Sequence, residues 1–142
     1  MARKGLIEKF LEVQKPFFKK VSGRRRQRMK MIESYSFGEV VCDGKTYTSD
    51  LIIFPHRVFD NWWRKEGHHL HIEDLKEVLE EKPDILIIGT GKMGVMKVPT
   101  ALQEELRQKN IEVIVEKTGK AVDIFNAADK SKKVVGAFHL TC

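Results

Sequence analysis

The sequence predicts an α/β fold, a single domain built around one buried strand with a glycine loop at its carboxyl end. Three observations predict it. Ile85-Leu86-Ile87-Ile88 is an unbroken apolar run, the pattern of a strand covered on both faces. Gly89-Thr90-Gly91-Lys92-Met93-Gly94 follows at once, where open α/β sheets keep their ligands. From there to the end the chain alternates helix and strand patterns, and 142 residues suffice for one good core.

The first 30 residues stand apart. Leu6, Ile7, Phe10, Leu11 and Val13 fall at helical spacing, and Pro16 breaks that helix. Phe17, Phe18 and Val21 add apolar surface before Ser22-Gly23 and the run Arg24-Arg25-Arg26-Gln27-Arg28. Residues 1–30 hold eleven Lys/Arg against two Asp/Glu, whereas residues 31–142 hold fifteen against eighteen. The net charge of +6 therefore belongs to an extension, 1–30, and not to the α/β domain, 31–142. Such an arm suits a protein partner or an anionic membrane surface; a solvated tail is the plain alternative. Nucleic acid is disfavoured, because no aromatic residues interleave the basic run.

The domain starts near Ile32. Tyr35 to Val41 is strand-like, and Asp43-Gly44 predicts a hairpin turn because both residues tolerate positive φ. Tyr47 to Phe54 returns as the second strand, Pro55-His56-Arg57 turns, and Val58 to Trp63 is a third. Trp62 and Trp63 then point to opposite faces. The polar segment Arg64 to His71 leads to a helical stripe, Ile72, Leu75, Val78 and Leu79, ended by Pro83. Pro99 suits the first turn of the next helix, which buries Leu102 and Leu106 and ends near Asn110. Ile111 to Val115 is a strand. Thr118 is placed to N-cap a helix carrying Val122, Phe125 and Ala128, and Val134 to Leu140 is the last strand.

The glycine loop matches G-x-G-x-x-G, with Glu116 ending the next strand as a ribose-binding acid would. Pro99 nonetheless places the helix start well beyond Gly94, so helix amides do not meet a pyrophosphate. No dinucleotide cofactor is expected. Two readings remain for the loop: glycines permitting a tight turn, or a small anion held by loop amides and Lys92. Of His68, His69 and His71 only His68 and His71 could share one helical face, no cysteine is near and no H-E-x-x-H appears, so no metal is expected. Arg64 and Glu66 fall on one side of an extended segment and predict a structural ion pair, or an acid–base pair beside an anion. His139 and Cys142 invite a Cys–His reading, which the terminal carboxylate beside Cys142 disfavours by repelling a thiolate.

No apolar run approaches the roughly 20 residues of a membrane span, and Met1 to Leu11 lacks a signal-peptide core. Two cysteines are too few for a disulfide framework. The expected location is the cytoplasm, or its membrane periphery.

Taken together, Phe37-Gly38, Tyr47-x-x-Asp50, Trp63-Arg64-x-x-Gly67-His68, Pro83 with Gly89-Thr90-Gly91, Thr118-x-x-Ala121 with Asn126, and His139-x-Thr141-Cys142 resemble one family. It is the Mth-domain-like family of unknown function that includes a mitochondrial complex I (NADH dehydrogenase) assembly factor and the adipogenesis-associated Mth-domain protein. The resemblance spans about residues 32–142. It implies a three-layer α/β domain around a central mixed sheet, Rossmann-like but distinct. It also implies a last strand antiparallel to its neighbours, which would put His139 to Cys142 at the sheet end opposite Gly89 to Lys92. No reaction or cofactor comes with it. Two functions stay open: a non-catalytic interaction or assembly module, or an enzyme or small-anion binder using Arg64, Gly89, Thr90, Gly91, Lys92 and Thr118.

Overall fold

The computed structural model describes residues 30–142; the predicted amphipathic helix and the arginine run lie outside them. Chain order gives β1 (Ile32–Ser36), β2 (Glu39–Cys42), β3 (Lys45–Tyr47), β4 (Leu51–Ile53) and β5 (Val58–Asp60). A 3-10 turn (Ile72–Leu75) runs into α1 (Lys76–Glu81). Then come β6 (Ile85–Thr90), α2 (Thr100–Gln108), β7 (Glu112–Glu116), α3 (Thr118–Ala127) and β8 (Val134–His139).

Five strands form the central sheet in the order β5-β4-β8-β6-β7, and β1-β2-β3 form a small antiparallel one. Strands β8, β6 and β7 run parallel, and β4 pairs antiparallel with both β5 and β8. The sheet is therefore mixed, as expected, but β8 is antiparallel only to β4. Beside β6 it runs parallel, with Thr90 opposite His139. This corrects the expected orientation of the last strand and brings His139 to Cys142 to the same end as the glycine loop. The reason is the connection: α3 returns the chain to the amino end of the sheet, as parallel crossovers require.

Alternation along the strands supplies two cores. Ile52, Leu86, Ile88, Val113, Val135 and Ala137 pack beneath α1 and α2. Leu51, Ile53, Ile85, Ile87, Val134 and Phe138 pack with Phe125 of α3 and with Ile32 and Val40 of the small sheet. The four-residue run in β6 thus feeds both sides alternately, which is why it carries no polar position. Gly136 in β8 leaves room for the edge-to-face stack of Phe125 on Phe138, 5.8 Å between centroids. Asn126 of α3 clamps the small sheet, donating to the Ile32 carbonyl at 2.8 Å and accepting its N–H at 2.9 Å.

Several local expectations change. The strand-like stretch Tyr35 to Val41 is a hairpin, because Gly38 turns the chain at φ +77°. Tyr47 to Phe54 is two strands in two sheets, β3 and β4, with Asp50 in the break. The third strand ends at Asp60, and Asn61 turns at φ +57°. Trp62 is still buried, at 4% exposure, and Trp63 exposed, at 77%. The Asp43-Gly44 turn forms with both residues at positive φ. Lys82 ends α1 in the left-handed conformation just before Pro83. The N-cap of α3 is Lys117, not Thr118, because the Thr118 hydroxyl is used elsewhere.

Candidate functional site

The carboxyl ends of β6 and β8 meet the loop after β6. Gly91 there has φ +110°, and a side chain at it would run into the backbone of Cys142 and come within 2.9 Å of His139 Cδ2. Only glycine allows that approach. The Thr118 hydroxyl, fully buried, stitches the strand ends together. It accepts the Gly91 N–H at 2.8 Å and donates to the His139 carbonyl at 2.6 Å. Gly89 lies against Thr118, whose Oγ1 would sit 2.8 Å from an added Cβ. Thr90 donates to the Glu116 carbonyl at 3.2 Å.

The amides a small anion would use are engaged by the chain itself. Lys92 N–H donates to the Thr141 carbonyl at 2.6 Å, and Val95 N–H to the Cys142 carbonyl at 3.0 Å. Gly94 N–H closes a turn on the Gly91 carbonyl at 3.1 Å, and Thr118 N–H bonds that same carbonyl at 3.1 Å. The Lys92 ammonium lies 6.0 Å from the centre of the Tyr35 ring. Four of the six predicted residues, Gly89, Thr90, Gly91 and Thr118, thus form one knot with the strand ends. Lys92 joins it through its backbone.

Arg64 reaches the same place by another route. Its guanidinium is nearly buried, with Nη1 2.8 Å from Asp50 Oδ2, an ion-pair contact rather than an aligned hydrogen bond. Nη2 donates to the Gly67 carbonyl at 3.0 Å, and the group stacks 4.8 Å from the Trp62 ring centre. The predicted Arg64–Glu66 pair does not form. Glu66 instead bonds the His71 ring at 3.0 Å, because Arg64 turns inward to the Asp50 carboxylate.

Asp50 is the residue that sequence reasoning missed. Its Oδ1 accepts the Leu140 N–H at 2.7 Å, and its Oδ2 faces His139 Nδ1 at 2.8 Å. Burial pushes the Asp50 carboxyl up, but hydrogen bonds from His139 and Leu140 and the Arg64 guanidinium outweigh it and hold it below its ordinary value. His139 Nδ1 also lies 3.2 Å from Arg64 Nη2; a proton on Nδ1 serves the carboxylate and a lone pair there serves the guanidinium, so the two contacts call for opposite tautomers. His139 is 5% exposed, and its Nε2 has no partner. The exposed His68 ring abuts it edge-on at 5.6 Å. An Asp–His pair of this kind orients an imidazole as a base does in hydrolytic triads. The Thr118 and Thr90 hydroxyls donate to the His139 and Glu116 carbonyls, so neither is a nucleophile held by this imidazole. The signal that could have found Asp50 is an acid interrupting an apolar strand pattern.

A separate cavity of about 450 Å³ opens at the other end of the sheet, floored by Leu79, Pro83 and Ile111 and flanked by Lys82 and Lys109. Among the described residues no group of three His, Cys, Asp or Glu could hold a metal ion, and no helix is long and apolar enough to cross a membrane.

A family model described as "Protein of unknown function (DUF498/DUF598)" matches residues 32–139. A conserved hypothetical protein from Pyrococcus horikoshii is 28% identical and superposes with a TM-score of 0.66, covering 78% of this chain and 98% of its own. An outer membrane protein from Bartonella henselae, 24% identical, has a TM-score of 0.68 over 83% of this chain and 100% of its own. A Mth938-like domain from Bordetella pertussis shares the fold at 12% identity, with a TM-score of 0.59 over 82% of this chain and 89% of its own.

Proposed function

Since the chain belongs to the DUF498/DUF598 family, a Mth938-like family whose description assigns no activity, we propose from the geometry that it works by holding another protein. The docking face is the carboxyl end of the central sheet. One observation carries this reading: at the sheet end where α/β enzymes bind ligands, Leu140 to Cys142 take up loop N–H groups, while apolar side chains of those loops are exposed. Phe37 is 57% exposed, Trp63 77%, Met93 68% and Val95 41%. The segments bearing Phe37, Met93 and Val95 bond directly to those last residues, through Gly38, Lys92 and Val95 N–H groups. Trp63 adjoins Arg64, which is tied to them through Asp50. Exposed apolar groups gathered at one end mark interaction surfaces. The basic extension, residues 1–30, would add an electrostatic hold on the same partner or on an anionic membrane at its side, and an assembly role is one form of this function.

The test places a photo-crosslinking amino acid at Trp63 of the full chain, with a control at Lys109 on the far end. A discrete protein adduct at Trp63 alone is expected. Adducts at both positions or at neither overturn the reading.

A second reading is favoured by the unpartnered His139 Nε2 beneath Gly91. It makes the knot of Gly89, Thr90, Gly91, Lys92 and Thr118, with Arg64 beside it, an occluded small-anion or catalytic site that opens when Thr141 and Cys142 lift. Phosphate titration followed by amide NMR tests it. Saturable shifts at Gly91 and Lys92 support it; shifts confined to exposed lysines sink it.

A further inference from the structure

The charge pattern of the same face says what kind of partner fits it. We infer that the carboxyl-end face binds an acidic amphipathic segment of a partner protein, with apolar side chains against Met93 and Val95 and carboxylates against Lys92, Lys97 and Lys117. This inference rests on the interaction reading above and adds the chemistry of the ligand.

Met93 and Val95 sit in a loop bracketed by Lys92 and Lys97, all of them exposed. The loop is held on two sides. Lys92 and Val95 N–H groups bond Thr141 and Cys142, while Lys97 exchanges backbone bonds with His68 and Leu70 at 2.9 Å each. Lys117 lies against Gly94, its Cγ 3.1 Å from where a Cβ would stand. Lys92, Lys97 and Lys117 have no carboxylate partner among the described residues. The acids nearby are engaged: Asp50 with Arg64, Glu66 with His71 and Glu116 with Lys120. The loop therefore presents apolar side chains interleaved with ammonium groups that form no ion pair among the described residues, the Cys142 carboxylate being engaged by the Val95 N–H.

Charge complementarity selects among occupants. Residues 31–142 carry eighteen acids against fifteen bases, and five of the acids, Glu77, Glu80, Glu81, Glu104 and Glu105, sit on α1 and α2 beside Lys76 and Arg107. At the carboxyl end the loop after β6 is thus a local concentration of ammonium groups outside ion pairs. The chain's own residues 1–30, with eleven Lys/Arg against two Asp/Glu, bear the same sign as these lysines and so are not complementary to them. A second copy meeting face to face brings like charge to like. An acidic segment meets no such penalty, and complementary potentials steer its encounter. The loop's backbone bonds fix the spacing of its apolar and basic groups, which matches a fixed peptide pattern better than a fluid lipid surface.

The experiment selects peptides from a random display library on the full-length protein. Expected winners interleave Asp/Glu with large apolar residues. Their affinity should fall about tenfold or more when Lys92, Lys97 and Lys117 are all changed to Glu, as three lost rim pairs would give. Lys109→Glu at the far end should leave it unchanged, and the melting temperature of each variant shows that it folds. Winners without acidic residues, or affinity that survives the triple charge reversal, overturn the inference. So does recruitment of the protein to phosphatidylcholine–phosphatidylserine vesicles through the same lysines with no peptide selected, or a dimer that the reversal dissociates. If the adduct at Trp63 persists in the triple variant, the interaction reading stands and this inference alone falls.

Discussion

Asp50 holds three groups at once: the Leu140 N–H, the His139 ring and the Arg64 guanidinium. Removing it leaves a buried guanidinium without a counter-charge, so Asp50→Ala should cost about 3–5 kcal/mol in urea unfolding at pH 7. The pH dependence has a definite sign. A carboxyl whose folded value lies below its unfolded value stabilises the fold fully above the unfolded value, near 3.8, and loses that stabilisation as pH falls through the folded one. The gap between wild type and Asp50→Ala should therefore narrow from pH 7 to pH 3; an equal gap at both would show that the carboxylate's charge is not what stabilises. The adjacent tryptophans give a second residue-scale contrast. Trp62 is buried and its indole N–H donates to the Asp74 carbonyl at 2.9 Å, so Trp62→Ala should cost about 3–5 kcal/mol. Trp63 is exposed, and Trp63→Ala should stay within about 0.5 kcal/mol. Thermal melts of the two variants that coincide would refute the assignment of faces.

Among elements, the loop after β6 depends most on one residue. Gly91→Ala imposes a left-handed conformation costing about 1–2 kcal/mol, and its methyl group displaces Cys142. Stability should fall by about 2 kcal/mol or more, with faster hydrogen exchange at the Lys92 and Val95 amides. Unchanged exchange at those two amides would mean that the terminal residues are not what the loop holds. This loop also shows what was legible in the sequence. The buried strand, the late helix start, at Thr100, and the Asp43-Gly44 turn are local patterns, and the sequence shows them. The division of Tyr47 to Phe54 between two sheets was not, because no glycine or proline separates Tyr47 from the apolar run Leu51 to Phe54. Nor was the role of Thr118: an N-cap and a buried hydroxyl bridging Gly91 to His139 look alike until β8 is placed. The pairing of Asp50 with His139 spans 89 residues. No local period encodes such a contact, and the expectation of an antiparallel last strand pointed away from it.

For the whole molecule, the layers determine whether residues 1–30 belong to the fold. The central sheet is covered on one side by α1 and α2 and on the other by α3 with the small sheet. Its central strands are buried on both faces: all six residues of β6 and all six of β8 are buried. A sheet covered on both sides has no apolar face left that needs the extension. Deleting residues 1–30 should therefore shift the melting temperature by no more than about 2 °C, the size of a surface change in a domain of this length. A fall of more than about 5 °C would mean that Leu6, Phe10 or Phe17 packs on the domain, and the arm reading would fail. Partner capture gives the complementary measurement. The deleted stretch carries eleven Lys/Arg against two Asp/Glu, so the full chain should bind its partner more tightly than the deletion variant at low salt. That advantage should shrink as ionic strength rises and the Debye length falls from about 30 Å at 0.01 M to about 8 Å at 0.15 M. The contribution of Met93, Val95 and Trp63 should persist, because burial of apolar surface is not screened by salt. An advantage of the full chain that is indifferent to salt would assign the arm's binding to its phenylalanines instead of its arginines.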